Sequence, residues 1–360
     1  MLRQCKNAML EEKNIEPAKE LRTMADIGKE TMKGTQTSSF GVSKRENHDA
    51  KDFYNRFPPL KQDKESLPEP PKTTNQLFAG DSRQMNEVND NSVALVVTSP
   101  PYFNTKDYSK DGHQINSHSK KNNQQIGDIN SYKSFIKELL KVWKECERVL
   151  RPNGKMVINT PLVPMKKKEY STHQNRHIFD LNSDIQSSII NRKNTEMFLY
   201  DVYIWERTNP SKKLMFGSYP YPRNFYAQNT SEFITVYVKD GITNNKPKKE
   251  NKELSKLSER EWVELTKQVW RIPIPGKGDI AFGEHSAIMP EEIVYRCVRL
   301  FTCVGDVVLD PFTGSGTTLK VAKENNRSFV GYELMKNYKG LIEKKLNQVE
   351  KKHVKKAAKK

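Results

Sequence analysis

The sequence predicts an α/β domain built on a mostly parallel, twisted sheet with helices on both faces, preceded by a polar extension. Three observations predict it. From Thr74 onward, short runs of aliphatic and β-branched residues alternate with amphipathic helical stretches, the pattern of strand–helix–strand crossovers. Two of those runs end abruptly, Val93-Ala94-Leu95-Val96-Val97 at Ser99-Pro100-Pro101 and Val307-Val308-Leu309 at Asp310 before a glycine-rich turn. Asp81, the Ser99 loop, Asn159, the Asp310 loop and Glu333 all fall at the final residues of expected strands or just beyond, and in an open parallel sheet those ends share one edge, where ligands bind.

The chain has 360 residues, ample for a core, but only 35% are hydrophobic and mean hydropathy is −0.82, so part of the length is polar extension, loop or tail. Lys and Arg number 61 against 44 Asp and Glu, a net charge of +17 that favours a polyanionic partner such as nucleic acid. Cys5, Cys146, Cys297 and Cys303 show no C-x-x-C spacing, so reduced cysteines are expected rather than a zinc site or disulfide framework. The start, MLRQCKNAMLEEK, has no long apolar segment, and no later run approaches the ~18 residues of a membrane span, which places the protein in the cytoplasm.

Residues 1–72 are a polar extension ending in the linker Leu67-Pro68-Glu69-Pro70-Pro71, with a helix possible over 1–30 and an aromatic segment, 53–57, that could dock elsewhere. No chemical role attaches to this region. Gln76-Leu77-Phe78-Ala79-Gly80 then reads as a strand before Asp81, and residues 93–97 as a buried strand. The proline pair after Ser99 lacks N–H groups, so it frames spare carbonyl acceptors, to which Ser99 adds a hydroxyl and Tyr102 an aromatic face. That set suits a planar heterocycle bearing an amino group, although a plain proline-rich turn would look the same. Residues 103–130 form a long polar loop whose Asn and Gln could read adenine edges or be merely solvated.

Residues 132–150 are the clearest helix, with Phe135, Ile136, Leu139, Leu140, Trp143, Cys146, Val149 and Leu150 at helical spacing. Arg151-Pro152-Asn153-Gly154 should stop it, and 155–159 should return as a strand. Residues 160–195 read as irregular. They hold the basic run Lys166-Lys167-Lys168, and His173 and His177 at a spacing that lacks a third ligand for a metal. Strands at 198–205 and 233–238 flank a connection that interleaves Lys212, Lys213 and Arg223 with Phe216, Tyr219, Tyr221, Phe225 and Tyr226, suited to phosphates and unstacked bases or to packing the loop on its own sheet. Residues 240–268 read as a charged insert for partner recognition. Residues 290–301 form a helix opened by Pro290, Glu291 and Glu292, with Cys297 on its apolar face.

The second informative stretch is Asp310-Pro311-Phe312-Thr313-Gly314-Ser315-Gly316-Thr317-Thr318, between a strand at 306–310 and a helix at 319–325. A glycine turn there lets the backbone approach a ligand and aims helix N–H groups at it. No Gly-Lys-Ser/Thr follows, so it is not a P-loop, and the G-x-G-x-x-G dinucleotide fingerprint is incomplete. The strand 328–332 ends at Glu333, where a carboxylate can hold two ribose hydroxyls.

Over residues 74–340 the chain resembles the amino-directed DNA methyltransferases, the N4-cytosine and N6-adenine family that uses S-adenosylmethionine. Thr98-Ser99-Pro100-Pro101-Tyr102 looks like its catalytic motif in the cytosine-N4 form, and Asp310-Pro311-Phe312-Thr313-Gly314-Ser315-Gly316 like its cofactor motif. Gly80-Asp81, Glu284-His285-Ser286-Ala287 and Gly331-Tyr332-Glu333 also match, with Ser286 in place of the family's usual proline. Catalytic before cofactor motif is similar to the circularly permuted, beta-type order. The resemblance implies the Rossmann-like S-adenosylmethionine-dependent methyltransferase fold, with a methyltransferase domain at 73–340: a catalytic half at 73–239, a target-recognition insert at 240–268 and a cofactor half at 269–340. Residues 341–360, with eight lysines and two glutamates, would be a helix fraying into a basic tail that binds DNA or serves solubility.

It further implies that Ser99, Pro100, Pro101 and Tyr102 hold a base flipped out of duplex DNA. Asp81, Thr98, Asp310, Pro311, Phe312, Thr313, Gly314, Ser315, Gly316, Thr317 and Glu333 would form the cofactor site, with Asp81 near the adenine and Glu333 on the ribose. No metal is implied. Acceptors at Pro100 and Ser99 would localise the amino lone pair and stabilise the charge that develops on nitrogen, while Tyr102 stacks on a base whose extrusion costs a few kcal/mol. Residues 98–108 contain no cysteine, which argues against cytosine-C5 chemistry. Serine at the first motif position favours cytosine. The readings that compete are adenine, RNA or a protein amide as acceptor, and an inactive DNA-binding protein of this fold. A cognate restriction endonuclease is the implied partner. The sequence leaves target site and monomer or dimer state open.

Overall fold

The structure is a computed structural model that describes residues 72–103, 125–166, 176–209, 220–224, 227, 229–242, 246–285 and 287–357. The chain divides into two units, 1–61 and 62–360, and all described residues belong to the second. Expectations for residues 1–71, the loop 104–124, Lys167, Lys168, His173, the connection 210–219, Phe225, Tyr226, Ser286 and the last three residues lie outside the described residues.

Among the described residues eight strands form one sheet in the order β1-β10-β9-β2-β3-β7-β6-β8. They are β1 (Gln76–Phe78), β2 (Val93–Thr98), β3 (Leu150–Thr160), β6 (Met197–Arg207), β7 (Ser231–Lys239), β8 (Val269–Ile272), β9 (Val307–Asp310) and β10 (Ser328–Tyr332). The first five in spatial order run parallel, β7 is antiparallel to both its neighbours, and β8 is parallel to β6. Successive residues on a strand face opposite sides, so Val96 enters one core while Leu95 and Val97 enter the other; Val93, across a register shift from Leu95, joins Val96. The first core is closed by α1 (Tyr132–Val149) and α2 (Leu181–Ile190). The second is closed by α5 (Glu291–Phe301), α6 (Thr317–Glu324) and α7 (Lys339–Ala357). Cys146 and Cys297 are buried one in each.

Several expectations change. The stretch Arg151-Pro152-Asn153-Gly154 does not separate helix from strand, because α1 passes directly into β3 and the irregularity is absorbed within it, with Asn153 at φ 61°. The described part of residues 160–195 is not irregular: β4 (Val163–Lys166) and β5 (Arg176–Phe179) form an antiparallel pair, followed by α2, whose Asp180 cap accepts the Ser183 N–H at 3.1 Å.

The lysine-rich end is not a tail at its start. Ile342 and Val349 are fully buried on α7, and Lys345 is 1% exposed, so the apolar spacing rather than the lysine count decides which face packs.

The insert 240–268 contains α3 (Lys249–Leu254) and α4 (Glu259–Leu265). Ser255 Oγ accepts the Val304 N–H at 2.7 Å, and Arg299 donates to the Lys256 carbonyl at 3.0 Å. These contacts seat the insert at the amino ends of the parallel strands, the edge opposite Asp310 and Ser99.

Ile342→Ala should lower stability by about 2–4 kcal/mol, measured as a shifted urea midpoint at unchanged slope; a freely solvated tail would leave the midpoint in place.

Candidate active site

The order of the sheet makes the site. β2 leads through α1 to β3 on one side, whereas β9 leads through α6 to β10 on the other, so the chain turns in opposite directions from two adjacent strands. A crevice opens at such a switch point beyond the carboxyl ends. The two motif loops leave from those two strands. Thr98, fully buried, donates through Oγ1 to Asp310 Oδ1 at 2.7 Å, which ties the loops together across 212 residues of sequence.

Gly80, Asp81, Ser99, Pro100, Pro101, Tyr102, Asp310, Pro311, Phe312, Thr313, Gly314, Ser315, Thr317 and Glu333 line one cleft. It encloses about 1050 Å³ with the open solvent at its mouth included. Two residues assigned to the cofactor site are not in the lining. Thr98 acts through Asp310, as above. Gly316, at φ 83°, caps α6 and lies against α7, where an added Cβ would meet the Ile342 side chain at 3.0 Å.

Gly314 sits at φ 50°, and a Cβ there would approach His285 Nε2 to 2.9 Å, so the turn has no room for a side chain. Its N–H donates to Glu333 Oε2 at 2.7 Å, and the Met335 N–H donates to Oε1 at 2.8 Å. Each carboxylate oxygen keeps acceptor capacity. Burial pushes the Glu333 carboxyl up to about 7 against the pull of those N–H groups, and nearby Asp310 adds to the rise. Burial likewise pushes Asp310 up, opposed by the Thr318 and Thr98 hydroxyls and the Phe312 N–H. Two carboxyl groups that resist ionisation together make a site suited to a cation with hydroxyl donors and hostile to a pyrophosphate.

Asp81 lies in the lining, but the Arg83 guanidinium engages both its oxygens, Oδ1 at 3.0 Å and Oδ2 at 2.5 Å, and reaches on to Glu138 of α1. Burial alone would raise its carboxyl; the Arg83 guanidinium outweighs burial and holds it below the usual range.

On the other loop, Ser99 Oγ and Tyr102 Oη are 2.6 Å apart. Among the described residues no hydrogen bond occupies the Pro100 carbonyl, as the missing proline N–H groups predict.

Sequence reasoning passed over several lining residues: Gln125, Ile126, Met335 and Tyr338, together with His285, which it matched without assigning a role. Each follows a strand's carboxyl end or closes a loop that starts there, a signal available in principle. It also missed Lys345, which donates from beneath the turn to Thr317 Oγ1 at 3.0 Å and Ser315 Oγ at 3.3 Å while facing Asp279. Its three-residue spacing from Ile342 puts it on the buried face.

A family model described as DNA methylase matches residues 93–344, both motif loops included. The chain belongs to the DNA methylase family. Relatives in the family include the Type II methyltransferase M.MthZI of Methanothermobacter thermautotrophicus, 31% identical over 77% of this chain and 78% of its own. M.MjaI of Methanocaldococcus jannaschii, another Type II methyltransferase, is 30% identical over 76% of this chain and 91% of its own. Among solved structures, TTHA0409 of Thermus thermophilus, described as a putative DNA modification methylase and solved with S-adenosyl-L-methionine, superposes with TM-score 0.58 at 29% identity over 76% of this chain and 93% of its own. The cytosine-N4-specific PvuII DNA methyltransferase shares the fold, with TM-score 0.50 at 18% identity over 77% and 93% of the two chains. The architecture is that of the S-adenosylmethionine-dependent methyltransferases. Among the described residues no helix is long and apolar enough to cross a membrane.

Because the Glu333 carboxyl is raised, the folded chain binds its proton more tightly than the unfolded chain does. Stability contributed by Glu333 is therefore fully present below about pH 4.5 and lost as pH rises toward 7. Relative to Glu333→Gln, the wild type without ligand should lose about 1–3 kcal/mol between pH 4.5 and 8, read by denaturant titration at the two pH values. Parallel pH profiles for the two proteins would contradict the assignment.

Proposed function

We propose that the chain is a DNA methyltransferase that moves a methyl group from S-adenosylmethionine to the exocyclic N4 of cytosine in duplex DNA, as the modification arm of a Type II restriction–modification system. The observation that carries the reading is the Thr98–Asp310 bond, which sets a donor pocket and an amino-accepting loop side by side on adjacent strands. The relatives' designation as Type II methyltransferases and the cofactor bound in TTHA0409 support it.

The residues present fit the cofactor. Glu333 has acceptor capacity for ribose hydroxyls, Phe312 and Met335 provide apolar surface for a base, and the paired carboxyl groups favour a positively charged ligand. When bound, S-adenosylmethionine supplies an electrophilic methyl on its sulfonium. The Gly314 turn brings backbone close to it, and Lys345 braces that turn from the core side.

The Pro100 carbonyl and Ser99 Oγ accept the two N–H groups of the target amino nitrogen. That pulls its lone pair out of conjugation with the ring and stabilises positive charge as it forms. The Tyr102 ring stacks on the extruded base. Serine at position 99 matches the cytosine-N4 form of the family's motif, which favours cytosine over adenine.

In this reading the target site is read by segments that leave the pocket edge, namely the β4–β5 pair and the connection between β6 and β7. The insert 240–268, seated at the far edge, takes no part in base reading, contrary to the sequence-based expectation.

Incubation with methyl-labelled S-adenosylmethionine and unmethylated genomic DNA, followed by separation of nucleosides, should yield N4-methylcytosine. Label in N6-methyladenine alone would overturn the cytosine assignment, and no labelled nucleoside would overturn the function. Ser99→Ala should lower kcat about 100-fold with cofactor Kd within about twofold; equal loss of both would make the loop a structural element.

A further inference from the structure

Behind the Ser99 loop lies a buried carboxylate that neither motif contains. Glu232 stands at the amino end of β7, the antiparallel strand beside β3, and is 6% exposed. Its Oε2 accepts Tyr102 Oη at 3.1 Å and Asn159 Nδ2 at 2.7 Å, and its Oε1 faces the Arg207 guanidinium at 3.7 Å. Asn159 Nδ2 also donates to Tyr102 Oη at 3.2 Å, while Asn159 Oδ1 is buried with no hydrogen-bond partner among the described residues. The amide is therefore turned so that its N–H groups face Glu232 and Tyr102, and its own acceptor is left over.

One arrangement of donors satisfies both the 2.6 Å Ser99–Tyr102 contact and the 3.1 Å Tyr102–Glu232 contact. With Glu232 as an ionised acceptor, Tyr102 donates its hydroxyl proton to it. The Tyr102 oxygen then acts as acceptor in its 2.6 Å contact, and Ser99 must donate to it. With its proton committed inward, Ser99 Oγ presents only lone pairs to the cleft. We propose that Glu232 is a positioning residue that sets the polarity of the Glu232–Tyr102–Ser99 chain, so that Ser99 faces the target base as an acceptor and selects a base edge that donates N–H. This rests on the amino-methylation reading above and adds to it a residue outside both motifs. A ring carbonyl at the same position, as in uracil or thymine, would meet lone pairs rather than a donor and be rejected.

Replacing Glu232 by glutamine makes the idea testable at nearly constant volume. Arg207 holds the amide oxygen toward itself, so the amide N–H groups turn to Tyr102. The chain then reverses: Tyr102 donates to Ser99, and the lone pair that accepts this proton is lost to the base amino group. Tyr102→Phe removes the link through which that reversal travels, leaving Ser99 to donate to the Asn159 carbonyl at 3.4 Å.

The experiment measures kcat and the KM for S-adenosylmethionine on unmethylated genomic DNA for the wild type, E232Q, Y102F and the double variant, with cofactor binding as the check that each is folded. Wild-type activity comes first, since its absence overturns the methyltransferase reading and this inference with it. E232Q is expected to lose about 100-fold in kcat with KM for the cofactor within about twofold. Y102F is expected to lose about tenfold, and the double variant to match Y102F, so that the second substitution restores activity to E232Q. Losses that multiply in the double variant, or a kcat for E232Q within twofold of wild type, overturn the proposal. If E232Q fails to bind cofactor, Y102F alone decides: a tenfold loss in kcat at unchanged cofactor KM supports the chain, and a kcat within twofold of wild type overturns it.

Discussion

Thr98 and Asp310 end neighbouring strands that belong to opposite windings of the sheet, and the hydrogen bond between their buried side chains holds two loops together that sequence separates by 212 residues. Asp310 is also bonded by the Phe312 N–H at 3.0 Å, so one carboxyl group fixes both the start of the glycine turn and the root of the proline loop. Partners buried this deeply are costly to lose, because an unpaired polar group in the core keeps its full desolvation penalty. Relative placement of donor and acceptor sites to within a few tenths of an ångström is what transfer between two bound molecules requires.

The cleft is held from outside as well as across. Beneath the glycine turn, α7 presses Ile342 against Gly316 and sends Lys345 to Ser315 and Thr317. Behind the proline loop, Phe103 packs on Tyr132, Phe135 and Phe179, drawing α1 and β5 into support of Tyr102. Both supports act on backbone and rotamer rather than on a ligand directly. That separates residues that touch the cleft from those that hold it, a distinction the motifs alone do not draw.

The five parallel strands, the helices at 132–149 and 291–301, and the shared edge of the two motif loops were legible because each rests on local pattern: β-branched runs stopped by proline or glycine, and apolar residues at helical spacing. What was not legible depends on partners distant in sequence. Thr98 resembles a site residue by its neighbours, yet its hydroxyl is spent on Asp310. Asp81 reads as a cofactor-site carboxylate until Arg83, itself held by Glu138, closes on it. The charge of 341–360 obscured the packed face carrying Ile342, Lys345 and Val349. The insert 240–268 reads as a surface element, but only its contacts with Val304 and Arg299 show at which edge of the sheet it lies. Glu232 carried no local signal at all: its meaning comes from β7 running antiparallel beside β3, which brings it to Asn159 and Tyr102.

The central claim is that one cleft, built by the loops after β2 and β9, holds the methyl donor against the acceptor loop. Photolabelling with S-adenosylmethionine tritiated in its methyl group, followed by peptide mapping, tests it most directly. The account predicts label within residues 98–102, 310–318 or 333–338, abolished by excess S-adenosylhomocysteine. Competed label confined to the separate surface cleft around Arg271, Gly276 and Arg296 would contradict it.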